Sequence, residues 1–300
     1  MIRSTSSTVG GVGLSVVTGP PALSIPPAPA LASPRGPTAW SRDRLPLPRR
    51  APGAPWIRSP HSDDKERGMA IDAGFHWLWP TPIGLHRYAD AANLNPLLVD
   101  AFAQGRAAQQ RQRGEEPGPF FASDDDLLHR VKIPEWQDFV RFIVSSLGET
   151  VKQANREAWG ERELELKVGI EGMWFQCSRD GAFHDVHTHG NCSWSSAYVV
   201  QIDEPARRES HPVYGAANGV TRLYGPSFTA LGGAFVDVGN AYLQPPHQDI
   251  EPVPGQLLLF PSWLAHQAMP YDGEQERIII SFNASVHASQ GDQLHDYSAH

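Results

Sequence analysis

Cysteine is scarce in this chain: two among 300 residues, Cys177 and Cys192. That excludes a disulfide framework and any four-cysteine zinc site, and both read most simply as buried small residues. No run of 18 or more apolar residues occurs, so the sequence offers no transmembrane helix. Acidic residues are missing before Asp43, and helix-length apolar periodicity is missing after Trp159. What is present is globular composition, 40% hydrophobic and 19% charged. This excludes a collagen-like or wholly disordered chain. The length suits one large domain or two ordinary ones.

Proline and charge divide the chain unevenly. Residues 1–68 hold 12 of the 27 prolines, with nine basic side chains against four acidic ones. The 16 basic and 29 acidic side chains left to the remainder give it a net charge of −13. The stretch 19–60 has neither a helical nor a strand period, and it cannot bury enough apolar surface to offset its ordering entropy. We read residues 1–68 as a disordered Pro/Arg-rich segment. Three origins fit it: an Arg- and Ser-rich targeting peptide, a proline-rich ligand around Leu45-Pro46-Leu47-Pro48-Arg49-Arg50, or a stretch that is not translated, with Met69 as the start. The acidic remainder has the wrong sign for phosphate binding. We therefore expect no nucleic-acid partner; the expected location is the cytoplasm, with an organelle as the alternative if residues 1–68 are a targeting peptide. Residues 291–300 form a polar tail, in which His295 and His300 carry no role.

Residues 75–85 read as an extended entry strand. Asn95-Pro96 reads as a helix start, with Asn as N-cap and Pro in the first turn, and Gly114 to Pro119 as its end. From Pro134, Trp136, Phe139, Val140, Ile143, Leu147, Val151 and Ala154 repeat at three- and four-residue steps, a second helix closed by Gly160. The period then changes to two. Residues 164–170, 173–177, 193–202, 220–223, 257–260 and 277–282 are strand candidates separated by Gly, Pro, Asn and Asp. Helices first and many short strands after them predict a helix-buttressed antiparallel barrel or sandwich.

The densest chemistry is Phe183-His184-Asp185-Val186-His187-Thr188-His189. On a strand, Asp185, His187 and His189 share one face and His184 points the other way. Two imidazoles two residues apart can hold one metal ion, and a third ligand from a distant strand would leave open positions. His266 is the best candidate, delivered by Leu257-Leu258-Leu259-Phe260-Pro261-Ser262-Trp263. Eleven residues on, Arg277 heads the apolar run Ile278-Ile279-Ile280. An arginine there is costly to bury without an anion, and its planar fork suits a carboxylate best. Trp174, Trp194 and Trp263 lie near the proposed site in sequence. His247-Gln248-Asp249 is set aside as a ligand pair, because Asp249 lies too close to His266 in the chain.

From about Trp77 to Val286 the sequence resembles the iron(II)- and 2-oxoglutarate-dependent oxygenases, and within them a small group of unknown substrate. The matching pieces are Trp79-Pro80-Thr81-Pro82-Ile83, His187-Thr188-His189 with Ser195-Ser196-Ala197-Tyr198-Val199, Gly255 through His266, and Arg277 through Asn283. The resemblance implies a mainly β fold with N-terminal helices: a double-stranded β-helix, or jelly roll, of the cupin-like kind over residues 69–290. It implies that His187, His189 and His266 hold Fe(2+) and that Arg277 binds 2-oxoglutarate. Tyr198, Ser281 and Asn283 would help in the cosubstrate pocket. The implied activity consumes O2 and 2-oxoglutarate, releases succinate and CO2, and hydroxylates a small molecule or protein side chain.

One departure stands out. The superfamily usually has a carboxylate where His189 stands. Asp185 is the alternative ligand, or a partner that fixes a histidine tautomer. A three-histidine cupin-type dioxygenase that needs no 2-oxoglutarate is the second enzyme reading. A non-catalytic jelly-roll binding module is a third.

Overall fold

The apolar steps after Pro134 build helix α3, Trp136–Ala154. Its Trp136, Phe139, Ile143, Leu147 and Val151 are all buried, so the stripe is the face laid on the core. Helix α1, Ala91–Arg113, begins earlier than the sequence suggests, with Asp90 at the N-cap position and Pro96 inside the helix. Asn95 does not cap because its side chain turns inward. Its Nδ2 donates to the Val200 carbonyl at 2.8 Å, and its Oδ1 accepts from the Tyr198 hydroxyl at 2.8 Å. The helix ends at Gly114, whose φ of 66° lies in the left-handed region that glycine enters without a Cβ clash. A short helix α2, Leu127–Arg130, links α1 to α3.

The computed structural model describes residues 5–9, 12–17, 81–159, 164–226 and 247–288. These belong to one unit, Met1–Pro21 with Thr81–His300, and the second unit, Ala22–Pro80, lies outside them. The expected strand at 75–85 is described only from residue 81, and the tail 291–300 not at all.

Two sheets face each other. The large one contains β1 (Thr5–Val9), β2 (Val12–Val17), β3 (Gly84–Arg87), β4 (Phe120–Ala122), β5 (Leu166–Ser178), β7 (Trp194–Gln201), β10 (Gln256–Pro261) and β12 (Arg277–Ala288). Its order is β1-β2-β5-β12-β7-β10-β3, with β4 also on β5. The small sheet runs β6 (Ala182–His187), β11 (His266–Tyr271), β8 (Thr221–Tyr224), β9 (His247–Ile250). Strand β2 pairs parallel to β5, and the other described pairings between strands are antiparallel. The result is a jelly roll with helices against its large sheet, the fold class expected from the sequence. Strands β1 and β2 fall inside the segment 1–68 that the sequence reads as disordered. The rest of that segment lies outside the described residues.

The stretches 164–170 and 173–177 are a single strand, β5. Gly172, between them, makes no turn; a Cβ there would sit 3.3 Å from Asp125 Cβ, so its bareness admits the neighbouring loop. Strands β4, β9 and β11 escape the sequence reading because they are short and only partly apolar. At Asp180-Gly181 both residues have positive φ, 52° and 78°, and the Ala182 N–H donates to the Arg179 carbonyl at 2.9 Å, which closes a tight turn. That turn carries the chain from the large sheet to the small one.

The principal core lies between the helices and the large sheet. Phe102 stacks on Phe175 with ring centroids 4.2 Å apart, and Phe139 meets Tyr198 edge-on at 4.6 Å. From β12, Ile278, Ile280, Phe282 and Ala284 join this core, while Arg277, Ile279, Ser281 and Asn283 face the small sheet. Tyr198 is fully buried in the helix-side core. Tyr198→Phe should therefore cost about 1–3 kcal/mol, because the Asn95 oxygen is left buried without its donor. The urea midpoint should fall with an unchanged slope, and metal binding should stay at the wild-type level. An unchanged midpoint would show that this hydrogen bond contributes nothing net.

Candidate metal centre

The small sheet is irregular where the histidines lie. His187 pairs with His266, and His184 with Ala268. Three steps along β6 thus match two along β11, which is a β-bulge. The bulge resets the alternation. His184 turns to the same side as His187, with their rings 4.2 Å apart, and both line the cavity between the sheets. The sequence expectation is therefore corrected twice: His184 faces the cavity mouth, and Asp185 is exposed and lines no part of it. Asp185 contributes its backbone instead, since its carbonyl accepts the His187 Nδ1–H at 2.6 Å.

His189 lies in the loop after β6 rather than on the strand. Its N–H donates to the Ser262 carbonyl at 2.9 Å. The Ser262 hydroxyl in turn donates to the Cys192 carbonyl at 2.6 Å, and its N–H to the Ser193 carbonyl at 3.0 Å. The Pro261-Ser262 turn so ties the His189 loop to the start of β11. There His266, 7% exposed, pairs with both His187 and Leu223. Its Nδ1–H donates to the Leu264 carbonyl at 3.0 Å.

His187, His189 and His266 converge, with one ligand atom of each lying within 4.8 Å of the others. The Nε2 atoms of His189 and His266 are 3.3 Å apart. Burial, helped by the neighbouring imidazoles, pushes His266 down to about 3 and His189 to about 4. Both are neutral at pH 7, the form that binds a metal. For His187 and His266 the Nδ1 proton is committed to a carbonyl, which leaves Nε2 as the free lone pair. Three imidazole nitrogens on one side of an ion suit a first-row divalent metal with open positions. Phe260 packs on His266 at 4.5 Å between ring centroids, and Trp174 stands 6.3 Å from His189. Trp194 belongs to the helix-side core, and Trp263 is 54% exposed.

Arg277 lines the same cavity and is 3% exposed. Its Nε donates to the Gly219 carbonyl at 3.0 Å, and its Nη2 lies 3.5 Å from the Thr221 hydroxyl. Among the described residues no carboxylate forms an ion pair with it. Burial pulls it down to about 10, so it stays charged at neutral pH. Gly219 presents that carbonyl from a φ of 76°, and a Cβ there would lie 2.6 Å from the Tyr271 ring. Acidic residues around this end of β12 are engaged elsewhere. Glu276 pairs with Arg106 at 2.5 Å, and the Asp203 carboxylate accepts the Glu274 and Gln275 N–H groups at 2.7 and 2.9 Å.

Ser281 and Asn283 line the cavity. Tyr198 does not: it lies on the opposite face of β7, where the hydroxyl holds Asn95. The expectation that it touches a cosubstrate is corrected by that alternation. Cys177 is buried in the helix-side core, which pushes its thiol up to about 12. Asp249 is taken up by Arg222, whose Nε and Nη2 donate to it at 2.6 and 2.8 Å. His184 and Gly219 escape the sequence reading. The Asn218-Gly219 pair is a turn signal, but no sequence signal marks the bulge.

No curated protein matches the chain. Among solved structures, it resembles a prolyl-4-hydroxylase from Pseudomonas putida, at 16% identity and TM-score 0.39, over 68% of this chain and 92% of that one. It also resembles a Trichoplax adhaerens prolyl hydroxylase in complex with a hypoxia inducible factor peptide fragment, at 11% identity and TM-score 0.42, over 68% and 84%. HygX from Streptomyces hygroscopicus, with nickel and 2-oxoglutarate bound, is similar at 12% identity and TM-score 0.40, over 68% and 82%. These structural likenesses are weak. The sequence match is of another kind: residues 172–283 fit the family model described as "Putative 2OG-Fe(II) oxygenase". That segment runs from β5 to β12 and holds the three histidines, Arg277 and the cavity between them. The sequence match thus likens residues 172–283 of this chain to the 2OG-Fe(II) oxygenases.

Proposed function

We propose that this protein is an iron(II)- and 2-oxoglutarate-dependent dioxygenase that hydroxylates a small molecule or a protein side chain. The observation that carries the reading is Arg277: a buried guanidinium with no carboxylate partner among the described residues, facing the cavity that the three histidines line. An uncompensated buried charge is strongly destabilising, so the site is built for an anion that arrives with a ligand. The distal carboxylate of 2-oxoglutarate would accept from the fork, with the Thr221 hydroxyl beside it. His187, His189 and His266 would hold the iron through nitrogen. When bound, the iron supplies O2 activation coupled to oxidative decarboxylation of 2-oxoglutarate to succinate and CO2. Phe260 and Ile279 keep the cavity wall apolar, which strengthens each polar contact inside it. The functional domain in this reading spans residues 69–290. No helix of the described residues is long and apolar enough to cross a membrane.

A second reading has one observation in its favour. Where the superfamily has a carboxylate, this site has His189, and a three-histidine dioxygenase would need no 2-oxoglutarate.

His266→Ala and His189→Ala should each lose most of the iron retained by the wild-type protein after anaerobic loading and desalting. Asp185→Ala should retain wild-type iron, since its carboxylate lines no part of the cavity. Stoichiometric metal in His266→Ala would sink the three-histidine assignment.

Arg277→Ala should weaken 2-oxoglutarate binding by about 2–4 kcal/mol, the cost of removing one side of a buried charged contact. That is roughly 30- to 700-fold in affinity. Arg277→Lys should recover part of it, because a point charge does not reproduce a two-armed contact. Anaerobic titration of the iron-loaded protein, followed by the metal-to-ligand absorption band, measures both. A curve identical to wild type in Arg277→Ala would overturn the 2-oxoglutarate reading and leave the three-histidine dioxygenase in its place. Succinate release dependent on iron, O2 and 2-oxoglutarate tests the activity itself.

A further inference from the structure

The three histidines differ at the nitrogen that points away from the centre. His187 and His266 each give Nδ1–H to a backbone carbonyl, of Asp185 and Leu264. A carbonyl only accepts, so both rings have their tautomer imposed and both present a bare Nε2. The His189 ring meets no carbonyl among the described residues. Its Nδ1 faces the side-chain amide of Asn283, with Nδ2 at 3.4 Å. The other end of that amide, Oδ1, accepts from the Ser195 hydroxyl at 2.8 Å. Ser195 is 1% exposed, and Asn283 lies opposite it in the β12–β7 pairing.

An amide that donates to Nδ1 selects the tautomer with the proton on Nε2, which is the nitrogen that faces His266. Ligation through Nε2 requires the opposite tautomer, with the proton on Nδ1 and an acceptor beyond it. A half-turn of the Asn283 amide about its terminal torsion supplies that acceptor without moving the strand. Oδ1 then faces Nδ1–H, and Nδ2 faces the Ser195 oxygen. A hydroxyl accepts as readily as it donates, and the Ser195 proton can turn to the neighbouring Cys192 thiol, with which it already interacts.

We propose that Asn283, backed by Ser195, is the positioning residue for His189: its amide turns over to hold the Nδ1–H tautomer when His189 binds a metal. This rests on the three-histidine centre proposed above. It gives Asn283 a different task from contact with 2-oxoglutarate. An asparagine, unlike a carbonyl, serves either tautomer, so His189 is the one ligand of the three whose proton can move to its other nitrogen.

Zinc(II) serves as a diamagnetic probe on the full-length protein. Two-bond nitrogen-15 to proton spectra report which nitrogen of His189 carries the proton, and calorimetry gives the affinity. In wild type the proton should sit on Nε2 without zinc and on Nδ1 with it. Asn283→Leu should bind zinc 10- to 100-fold more weakly. Asn283→Asp retains an acceptor, so its His189 should carry the proton on Nδ1 even without zinc and its affinity should stay near wild type. Should the Leu variant fail to fold, the Asp variant decides. Wild-type affinity in Asn283→Leu, or affinity as weak in Asn283→Asp as a tenfold loss, overturns the role of the amide. Absence of zinc binding by the wild-type protein overturns the three-histidine centre itself, and the two failures are told apart by that measurement.

Discussion

Strand β12 lies between β5 and β7 in the middle of the large sheet, and its alternation governs both halves of the molecule. One face must be apolar, because α1 and α3 cover it. The other looks into the space between two sheets, where a polar side chain needs a partner. That second face carries Arg277, Ser281 and Asn283. The two ends of the candidate site are thus set on one rigid rod: a cation at the head of the strand and an amide beside a histidine near its middle. A one-residue slip in register would exchange the faces. Pairing with β5 along nearly the whole of β12, on one side, and with β7 on the other opposes any such slip.

The small sheet works by irregularity. Its bulge costs a regular ladder but rotates His184 and His187 inward together, and bulges commonly re-aim side chains in this way. The Pro261-Ser262 turn then anchors the His189 loop through backbone and hydroxyl hydrogen bonds. Each histidine therefore depends on a different device: a bulge, a loop tie and a strand start. All three rings are held by contacts to backbone or to β12, so the cluster has little freedom to spread.

Behind Arg277 lies a second buried cation, and the contrast explains why one is available and the other is not. Arg208, 1% exposed, donates to the Asp203 and Asn218 carbonyls at 3.1 and 2.9 Å and pairs with Glu251. Its hydrogen bonds are used in holding the connection between β7 and β8. Asn218 extends the web, with Nδ2 on the Asp272 carbonyl at 2.8 Å and Oδ1 receiving the Asp272 N–H at 3.0 Å. The next residue, Gly219, offers its carbonyl to Arg277. The polar web thus aims Arg277 without neutralising it.

The class of the fold, the helix stripe of α3, the long strands β5, β7, β10 and β12 of the large sheet and the trio His187, His189 and His266 were legible in the sequence. They rest on local periods and on spacing, which the chain carries in itself. So did the oddity of Arg277, a guanidinium heading an apolar run. Four matters were decided only by tertiary structure. The bulge that reverses His184 and Asp185 depends on how β6 meets β11, and no residue in β6 announces it. Tyr198 turned to the helices because β7 alternates against a helix pair whose position no local signal encodes. Asn95 became a buried bridge rather than a cap, since a partner carbonyl from β7 was waiting for it. The amide of Asn283 reached His189 across 94 residues of chain, a meeting that only the closing of one sheet over the other produces. Periodicity reports which face of an element is apolar; which polar groups meet on the opposite side depends on the packing of elements distant in sequence.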